Sequence, residues 1–348
     1  MNHFLPWHLD TAHAWLNQRE RFAHAWLLHG EAGIGKLDFA IAAAASLLCE
    51  TPQNRLACGH CIACGWFASG NHPDLRRIRP EAVAVAEGAQ NSESDEAQAP
   101  TGSAGKRAPS KDIRVDQIRS LESWFNTATH RGGWRVALLY PAQALNTIAA
   151  NALLKVLEEP PAHTVFLLVS DAPDRLLPTL VSRCRRLPLA APRADIALQW
   201  LQGQGVKQPE QWLAAAGGTP LSALRLSQKQ DEPCPGWLGQ LLAPLAQGQR
   251  PDVGNLTEIL EKVAAAEWLD ALQRVFTDLV LAAHGLPVRY FPALADAVAC
   301  TAARVQSVRL ADTANWLSSQ RALAGHTLNP KLFIHATLQR VALALGPV

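Results

Sequence analysis

Phosphate chemistry is indicated by one glycine-rich stretch near the amino terminus. It reads Gly-Glu-Ala-Gly-Ile-Gly-Lys-Leu, so that Gly30, Gly33, Gly35 and Lys36 have the spacing of a phosphate-binding P-loop. In such loops backbone N–H groups and a helix amino terminus surround the phosphates, and the lysine reaches the outer ones. The motif also requires Ser or Thr after the lysine to bind Mg²⁺, and Leu37 stands there. The sequence therefore predicts a degenerate P-loop that binds nucleotide weakly or not at all.

A metal site is indicated by four closely spaced cysteines. Cys58, Cys61 and Cys64 form two overlapping C-x-x-C turns, and Cys49 lies at the end of the preceding helical stretch. Four thiolates can surround one tetrahedral Zn²⁺ in a closed site that stabilises the fold and does no chemistry. A redox pair needs only two cysteines, whereas His60 is a rival ligand within the same turn. We predict a structural zinc site formed by the four cysteines.

The composition is that of a globular, nearly neutral protein. The chain has 348 residues, enough for two or three domains, and 48% of them are hydrophobic, 18% are charged and the formal net charge is +2. This charge balance does not by itself require a nucleic-acid partner. No stretch resembles a signal peptide, and no apolar run approaches the roughly 20 residues that a membrane span needs. Seven cysteines suit a reducing compartment, so we expect a cytoplasmic protein that does not contact membranes.

The elements that must position these residues are strands and helices in alternation. An apolar run at 25–28 predicts a buried strand before the glycine loop, and residues 38–48 predict a helix after it. Two further apolar runs, 134–140 and 164–170, predict buried parallel strands. In P-loop ATPases the strand corresponding to 134–140 ends in an acid that holds Mg²⁺, but here Tyr140 and Pro141 occupy that position. The residues expected to bind Mg²⁺ are therefore altered on both sides of the nucleotide site, which argues against ATP hydrolysis.

Two further motifs carry a family resemblance. Residues 151–161 read Asn-Ala-Leu-Leu-Lys-Val-Leu-Glu-Glu-Pro-Pro, and a Ser-Arg-Cys sequence centred on Arg183 follows the next strand. Together with the four-cysteine module, this pairing resembles the AAA+ subunits of the bacterial DNA polymerase III clamp loader, over residues 22 to about 189. Within that family the chain is similar to the member whose own nucleotide motifs are degraded.

The resemblance implies a role for Arg183 that the residues alone do not assign. In these loaders the arginine of the Ser-Arg-Cys motif reaches the γ-phosphate of ATP bound to a neighbouring subunit, as an arginine finger. The alternative is an ordinary surface arginine beside Arg185 and Arg186. The family also carries an arginine in its lid motif, where this chain has Leu221; Arg225 replaces it only if the register shifts.

The resemblance further implies a domain plan and partners. We expect an α/β P-loop AAA+ domain with a parallel sheet over 1–190, with a zinc module at 49–64 and a flexible insertion at 81–111 that is too polar to order itself. A helical lid at 191–230 and an all-helical collar for oligomerisation at 231–348 follow. The implied partners are the gamma or tau ATPase subunits, which bind ATP, the delta subunit, the beta sliding clamp and, through the complex, primed DNA.

Three functions fit these observations. The favoured one is a non-hydrolysing clamp-loader subunit that supplies Arg183 to its neighbour. The second is an ATPase active on its own, with Glu158 or Asp171 in an unconventional metal site, although neither stands where the strand-end acid belongs. The third is a zinc-dependent DNA-binding module, which has few basic neighbours to bind phosphates.

Overall fold

A parallel sheet organises the amino-terminal part of the chain. The computed structural model describes residues 3–88, 108–125, 127, 129–130, 133–324 and 329–346. Among these residues, five strands form the sheet: β1 Ala25–His29, β2 Leu75–Ile78, β3 Arg135–Leu139, β4 Thr164–Ser170 and β5 Arg185–Pro188. The chain divides into two units, Met1–Pro192 and Arg193–Val348, and the sheet belongs to the first.

The strand order is β2-β3-β4-β1-β5, and every neighbouring pair is parallel. β3 and β4 are buried along their whole length, as expected for central strands covered by helices on both faces. In the central pair, Ala25 lies opposite Phe166 and His29 lies opposite Ser170. The predicted α/β fold with a parallel sheet is confirmed.

Helices cover the sheet on both faces. Those of the first unit are α1 Leu9–Leu16, α2 Lys36–Leu48, α3 Ile62–Ala68, α4 Glu81–Ala86, α5 Val115–Phe125, α6 Thr147–Glu158 and α7 Pro178–Val181, with 3₁₀ turns at Pro6–His8, Arg19–Arg21, Ala142–Ala144 and Pro173–Arg175. One apolar core contains Trp15 and Phe39 from α1 and α2. A second contains Ile118 and Leu153 from α5 and α6. Residues alternate between the two cores along β1, because successive side chains of a strand point to opposite faces.

Order extends further into the predicted insertion than expected. The sequence predicts flexibility over 81–111, but its first residues form α4, and Ser110 forms hydrogen bonds with that helix. The amide of Ala82 donates to Ser110, and Glu81 forms an ion pair with Arg114 at 3.0 Å. These contacts lie between segments far apart in sequence, so composition alone could not reveal them. The rest of the predicted insertion, 89–107, lies outside the described residues.

The second unit is helical throughout its described residues. Its helices are α8 Ala194–Gly203, α9 Pro209–Ala215, α10 Pro220–Lys229, α11 Gly236–Ala246, α12 Val253–Leu260, α13 Ala265–Ala283, α14 Ala295–Ala302, α15 Ser307–Leu323 and α16 Pro330–Leu345, with a 3₁₀ turn at Pro292–Leu294. A small apolar cluster joins α8, α9 and α10, and a larger one holds α11 to α16 together. None of the helices in the described ranges has the length and apolar character to cross a bilayer.

Candidate functional site

The glycine-rich loop runs from the carboxyl end of β1 to the start of α2. Gly33 and Gly35 have φ of 83° and 92°, in the left-handed region that favours glycine. At Gly30 the reason for glycine is space as well as backbone angle, because an added Cβ would lie 2.2 Å from the carbonyl oxygen of Leu189. The loop therefore packs directly against the backbone that follows β5.

Lys36, the lysine of the P-loop pattern, is buried and already has protein partners. Its Nζ donates to the carbonyl oxygens of Gly30 at 2.9 Å and Glu31 at 2.5 Å. It also forms an ion pair with Asp171, with 2.5 Å between Nζ and Oδ1. The side chain is only 3% exposed. The ammonium group thus holds the loop closed upon itself, with Asp171 as the counter-charge.

The amino-terminal segment fixes the loop from another side. The indole of Trp7 donates to the carbonyl oxygen of Ile34 at 2.9 Å, and Nε2 of His8 lies 2.8 Å from the same oxygen. Ile34 is fully buried, and burial lowers the pKa of His8. A neutral imidazole that donates from Nε2 fits this environment. The loop backbone is therefore clamped by the segment before α1.

The positions that normally hold Mg²⁺ carry no oxygen ligand suited to it. Leu37, in the first turn of α2, packs against the apolar core. Tyr140 follows β3, is 3% exposed and donates its hydroxyl hydrogen to Glu87 at 2.9 Å. Burial raises the pKa of Tyr140, so the phenol stays neutral and is a poor ligand for a hard cation.

The four cysteines predicted to bind metal come together. Their sulfur atoms all lie within 4.8 Å of one another, with Cys49 and Cys61 separated by 3.9 Å and Cys58 and Cys64 by 4.0 Å. A tetrahedron with Zn–S bonds of about 2.3 Å has sulfur atoms roughly 3.8 Å apart, so the cluster could hold one metal ion with little adjustment. His60 lies outside the cluster and its Nδ1 contacts the carbonyl of Cys58 instead.

Local structure sets the surroundings of each of the four thiols. Cys49 ends α2, and Cys61 caps α3, where its sulfur accepts a hydrogen bond from the amide of Cys64. The hydroxyl of Thr51 donates to the sulfur of Cys58 at 3.3 Å, and this bond, with others from the backbone, lowers the pKa of Cys58 to about 5. Burial raises the pKa of Cys49 and of Cys64. The cluster thus combines the thiol of Cys58, which ionises readily, with two thiols whose burial favours the neutral form.

Arg183 lies on the turn between α7 and β5. Its Nη2 forms an ion pair with Glu158 at 2.5 Å, and its Nη1 donates to the carbonyl oxygen of Thr179 at 3.0 Å. The side chain is 36% exposed. Burial raises the pKa of the adjacent Cys184 to about 12, so its thiol is neutral and packs as an apolar group.

The glycine loop and Arg183 lie at opposite ends of the sheet, measured along its strands. The loop follows the carboxyl end of β1, whereas Arg183 precedes the amino end of β5. These strands pair with Trp26 opposite Arg185 and His29 opposite Pro188. The three residue steps from Trp26 to His29, at about 3.3 Å each, place roughly 10 Å of strand between the two ends. Arg183 is thus separated by the length of the sheet from the glycine loop of its own chain.

Two acids have partners that the sequence does not reveal. Asp171 follows β4 at the edge of the glycine loop and pairs with Lys36, and Glu158 ends α6 at the opposite end of the sheet and pairs with Arg183. From the sequence, both are candidates only as metal ligands of an independent ATPase. Each stands at the end of a motif or strand, but neither pattern identifies the partner. Arg225, the candidate lid arginine, bonds within its own helix, to Leu221 and Ser222.

Comparison with known proteins places the first unit in a sequence family. The family described as DNA polymerase III, delta subunit, matches residues 13–193. A DNA polymerase III subunit delta' of Pseudomonas aeruginosa is 42% identical over 225 residues, covering 64% of this chain and 60% of that protein. The subunit delta' of Escherichia coli is 36% identical over 214 residues, covering 61% and 56%. The matches thus span less than two thirds of the length of these relatives.

These matches confirm the predicted resemblance to the delta' subunit. A solved structure, a DNA polymerase III gamma subunit-related protein of Thermotoga maritima, has a TM-score of 0.45 and 16% identity, covering 96% of this chain and 99% of that chain. A likeness at that level has no bearing on function. Sequence relationship, together with the geometry of the first unit, is therefore the stronger guide to the role of this chain.

Proposed function

Because the chain belongs to the DNA polymerase III delta subunit family, we propose that it is a clamp-loader subunit in DNA replication that does not itself hydrolyse ATP. It sits beside an ATP-binding subunit and contributes Arg183 to the neighbour's active site. There the guanidinium group stabilises the negative charge that spreads over the transferring phosphoryl oxygens. The neighbour's ATP is the substrate that this chain serves.

The observation that carries the proposal is the separation of Arg183 from its own glycine loop. An arginine at the amino ends of the strands cannot complete a site at their carboxyl ends, because about 10 Å of strand separates the two. A partly exposed guanidinium on a surface turn is nevertheless accessible to another chain. Such an arginine serves a neighbouring subunit better than its own.

The same chain has a loop that is poorly suited to nucleotide. Lys36 is occupied by two carbonyl oxygens and Asp171, and Leu37 offers no hydroxyl group. Tyr140 stands where an acid would hold Mg²⁺. The degenerate P-loop therefore acts as a structural element, and Zn²⁺ bound by the four cysteines stabilises the adjoining α2 and α3.

The partners follow from the relatives. Proteins named DNA polymerase III subunit delta' and, at 32% identity over 171 residues, subunit tau of Escherichia coli match this chain. We infer a cytoplasmic hetero-oligomer with the gamma or tau ATPase subunits and the delta subunit, acting on the beta sliding clamp and primed DNA. Residues 191–230 form the lid of this subunit, and 231–348 form the collar that binds the other subunits.

The test is ATP hydrolysis by a reconstituted loader, stimulated by the clamp and primed DNA. Arg183→Ala should assemble normally and lower the turnover of one neighbouring subunit sharply, because arginine fingers contribute about 10³–10⁵ in rate. Arg186→Ala, an exposed arginine three residues away, is the matched control and should retain turnover. Unchanged hydrolysis with Arg183→Ala would refute the proposal.

The rival function, an ATPase active on its own, has a separate test. Both acids available to it are already paired, Asp171 with Lys36 and Glu158 with Arg183. The purified single chain should show no turnover that depends on Lys36. Turnover that disappears in Lys36→Ala would establish the rival. A DNA affinity of the single chain that falls with both salt and zinc removal would support the third candidate, a zinc-dependent DNA-binding module.

A further inference from the structure

The ion pair between Glu158 and Arg183 joins the two motifs that carry the family resemblance. Glu158 is the last residue of α6 and belongs to the Leu-Glu-Glu-Pro-Pro sequence, whereas Arg183 is the centre of Ser-Arg-Cys. Oε1 of Glu158 lies 2.5 Å from Nη2 of Arg183. The carbonyl oxygen of Thr179 accepts from Nη1 at 3.0 Å. The guanidinium group is therefore held at two of its nitrogens.

This arrangement orients the arginine and leaves some of its N–H donors free. A guanidinium group has five N–H donors, and the two contacts with Glu158 and Thr179 occupy two of them. The other three have no acceptor among the described residues. The pair is also partly exposed, 36% at the arginine and 52% at the glutamate, so it is weak enough to adjust when a phosphate approaches.

The position of the glutamate is unfavourable for the helix that carries it. The carboxyl end of a helix bears partial negative charge, so an acid in the last turn is repelled. Glu159, the next residue, is also exposed, and its carboxylate has no hydrogen-bond or ion-pair partner among the described residues. Both acids lie at the carboxyl end of α6, and only Glu158 contacts the arginine. The two residues form a natural pair of test and control.

We propose that Glu158 is a positioning residue for Arg183. It fixes the guanidinium group in advance, so that the neighbour's ATP does not have to order a long, flexible side chain during hydrolysis. The inference rests on the proposed function, because it requires Arg183 to act on a neighbouring site. Independently of that function, it requires the Arg183 side chain to have restricted motion in the isolated chain, which can be measured without a neighbouring subunit.

The first experiment measures that order in the isolated chain. With ¹⁵N-labelled arginine, the Nε signal of Arg183 is assigned by its loss in Arg183→Lys, and its heteronuclear relaxation reports side-chain motion. Glu158→Gln should increase this motion, whereas Glu159→Gln should leave it unchanged. Equal motion in both variants and in the unaltered chain would overturn the positioning role, whatever the fate of the proposed function.

The second experiment measures clamp- and DNA-stimulated hydrolysis by the reconstituted loader. Ordering a long side chain costs binding free energy that corresponds to about threefold to tenfold in rate. Glu158→Gln should therefore lower kcat of one neighbour by about threefold to tenfold, while KM for ATP and the thermal midpoint of the chain stay nearly unchanged. Glu159→Gln should behave like the unaltered chain. A purely structural role would instead lower the midpoint.

A double-mutant cycle separates the possible outcomes. In an Arg183→Ala background, Glu158→Gln should have no further effect, because its target is absent. An undiminished effect there, or a rate increase with Glu158→Gln alone, would overturn the proposal. If Arg183→Ala itself leaves hydrolysis unchanged, the proposed function fails; if it lowers hydrolysis and Glu158→Gln matches Glu159→Gln, only the positioning role fails.

Discussion

Replacing the buried lysine of the glycine loop should loosen the loop rather than remove an activity. Lys36→Met keeps an apolar stem of similar length and deletes the ammonium group. The carbonyl oxygens of Gly30 and Glu31 then lose their donor, and Asp171 loses its counter-charge. In an active ATPase this lysine binds phosphate, so its loss would act on turnover. Here we expect the effect on stability.

The magnitude depends on the burial of each partner. A hydrogen bond from a charged donor contributes about 1.5–3 kcal/mol, and two such bonds are lost. Part of this loss is offset, because the free-energy cost of burying the ammonium group also disappears. The contact with Asp171 adds less than about 1 kcal/mol, because that carboxylate is half-exposed. We therefore expect Lys36→Met to lower the local unfolding free energy by about 2 kcal/mol. Asp171→Asn should lower it by less than about 1 kcal/mol.

Native-state hydrogen exchange is the suitable assay, because the chain has two units and need not unfold in one step. A loss of about 2 kcal/mol corresponds to roughly 30-fold faster exchange of the amides in β1 and α2. Lys155→Met, which alters an exposed lysine of α6, is the control and should leave exchange unchanged. Unaltered exchange in Lys36→Met would show that the lysine does not hold the loop.

Other perturbations test the metal cluster, the second unit and the buried histidine. Cys61→Ser should reduce bound zinc from one per chain towards none by elemental analysis, while Cys300→Ser, outside the cluster, should retain it; equal zinc in both would contradict the site. Asp278 is fully buried and accepts hydrogen bonds from the amides of residues 289–291, so Asp278→Ala should cost the second unit about 3 kcal/mol in urea unfolding. Burial lowers the pKa of His8, so the unfolded chain binds a proton more readily than the folded one. Stability from this residue is complete above about pH 6.5 and declines below it, and His8→Gln should show a smaller drop in thermal midpoint between about pH 7.5 and 5.5 than the unaltered chain.

Patterns that act over a few residues could be interpreted directly. The spacing of Cys58, Cys61 and Cys64 predicted the cluster because a C-x-x-C turn brings two sulfurs together by local geometry alone. Continuous apolar runs predicted β3 and β4 for the same reason, since burial on both faces leaves a local signature. The ends of elements were less certain: the helix predicted from residue 38 begins at Lys36.

The missing hydroxyl at Leu37 was also evident from the sequence alone. It indicated that the loop is degenerate, but not what had replaced the phosphate as partner of Lys36. That answer depends on β4 lying beside β1, with His29 opposite Ser170, which brings Asp171 to the lysine from a distant part of the chain. No local pattern encodes such a register.

Local patterns were enough to identify the residue types available for chemistry: four thiols, a loop lysine followed by Leu37 in place of a hydroxyl residue, and one arginine in a family motif. Their positions relative to one another depend on the packed fold. Strand order and direction put the glycine loop at one end of the sheet and Arg183 at the other, and they set Glu158 beside that arginine. The physical reason is that ion pairs and the ends of a sheet depend on contacts between distant segments, which only the packed fold establishes.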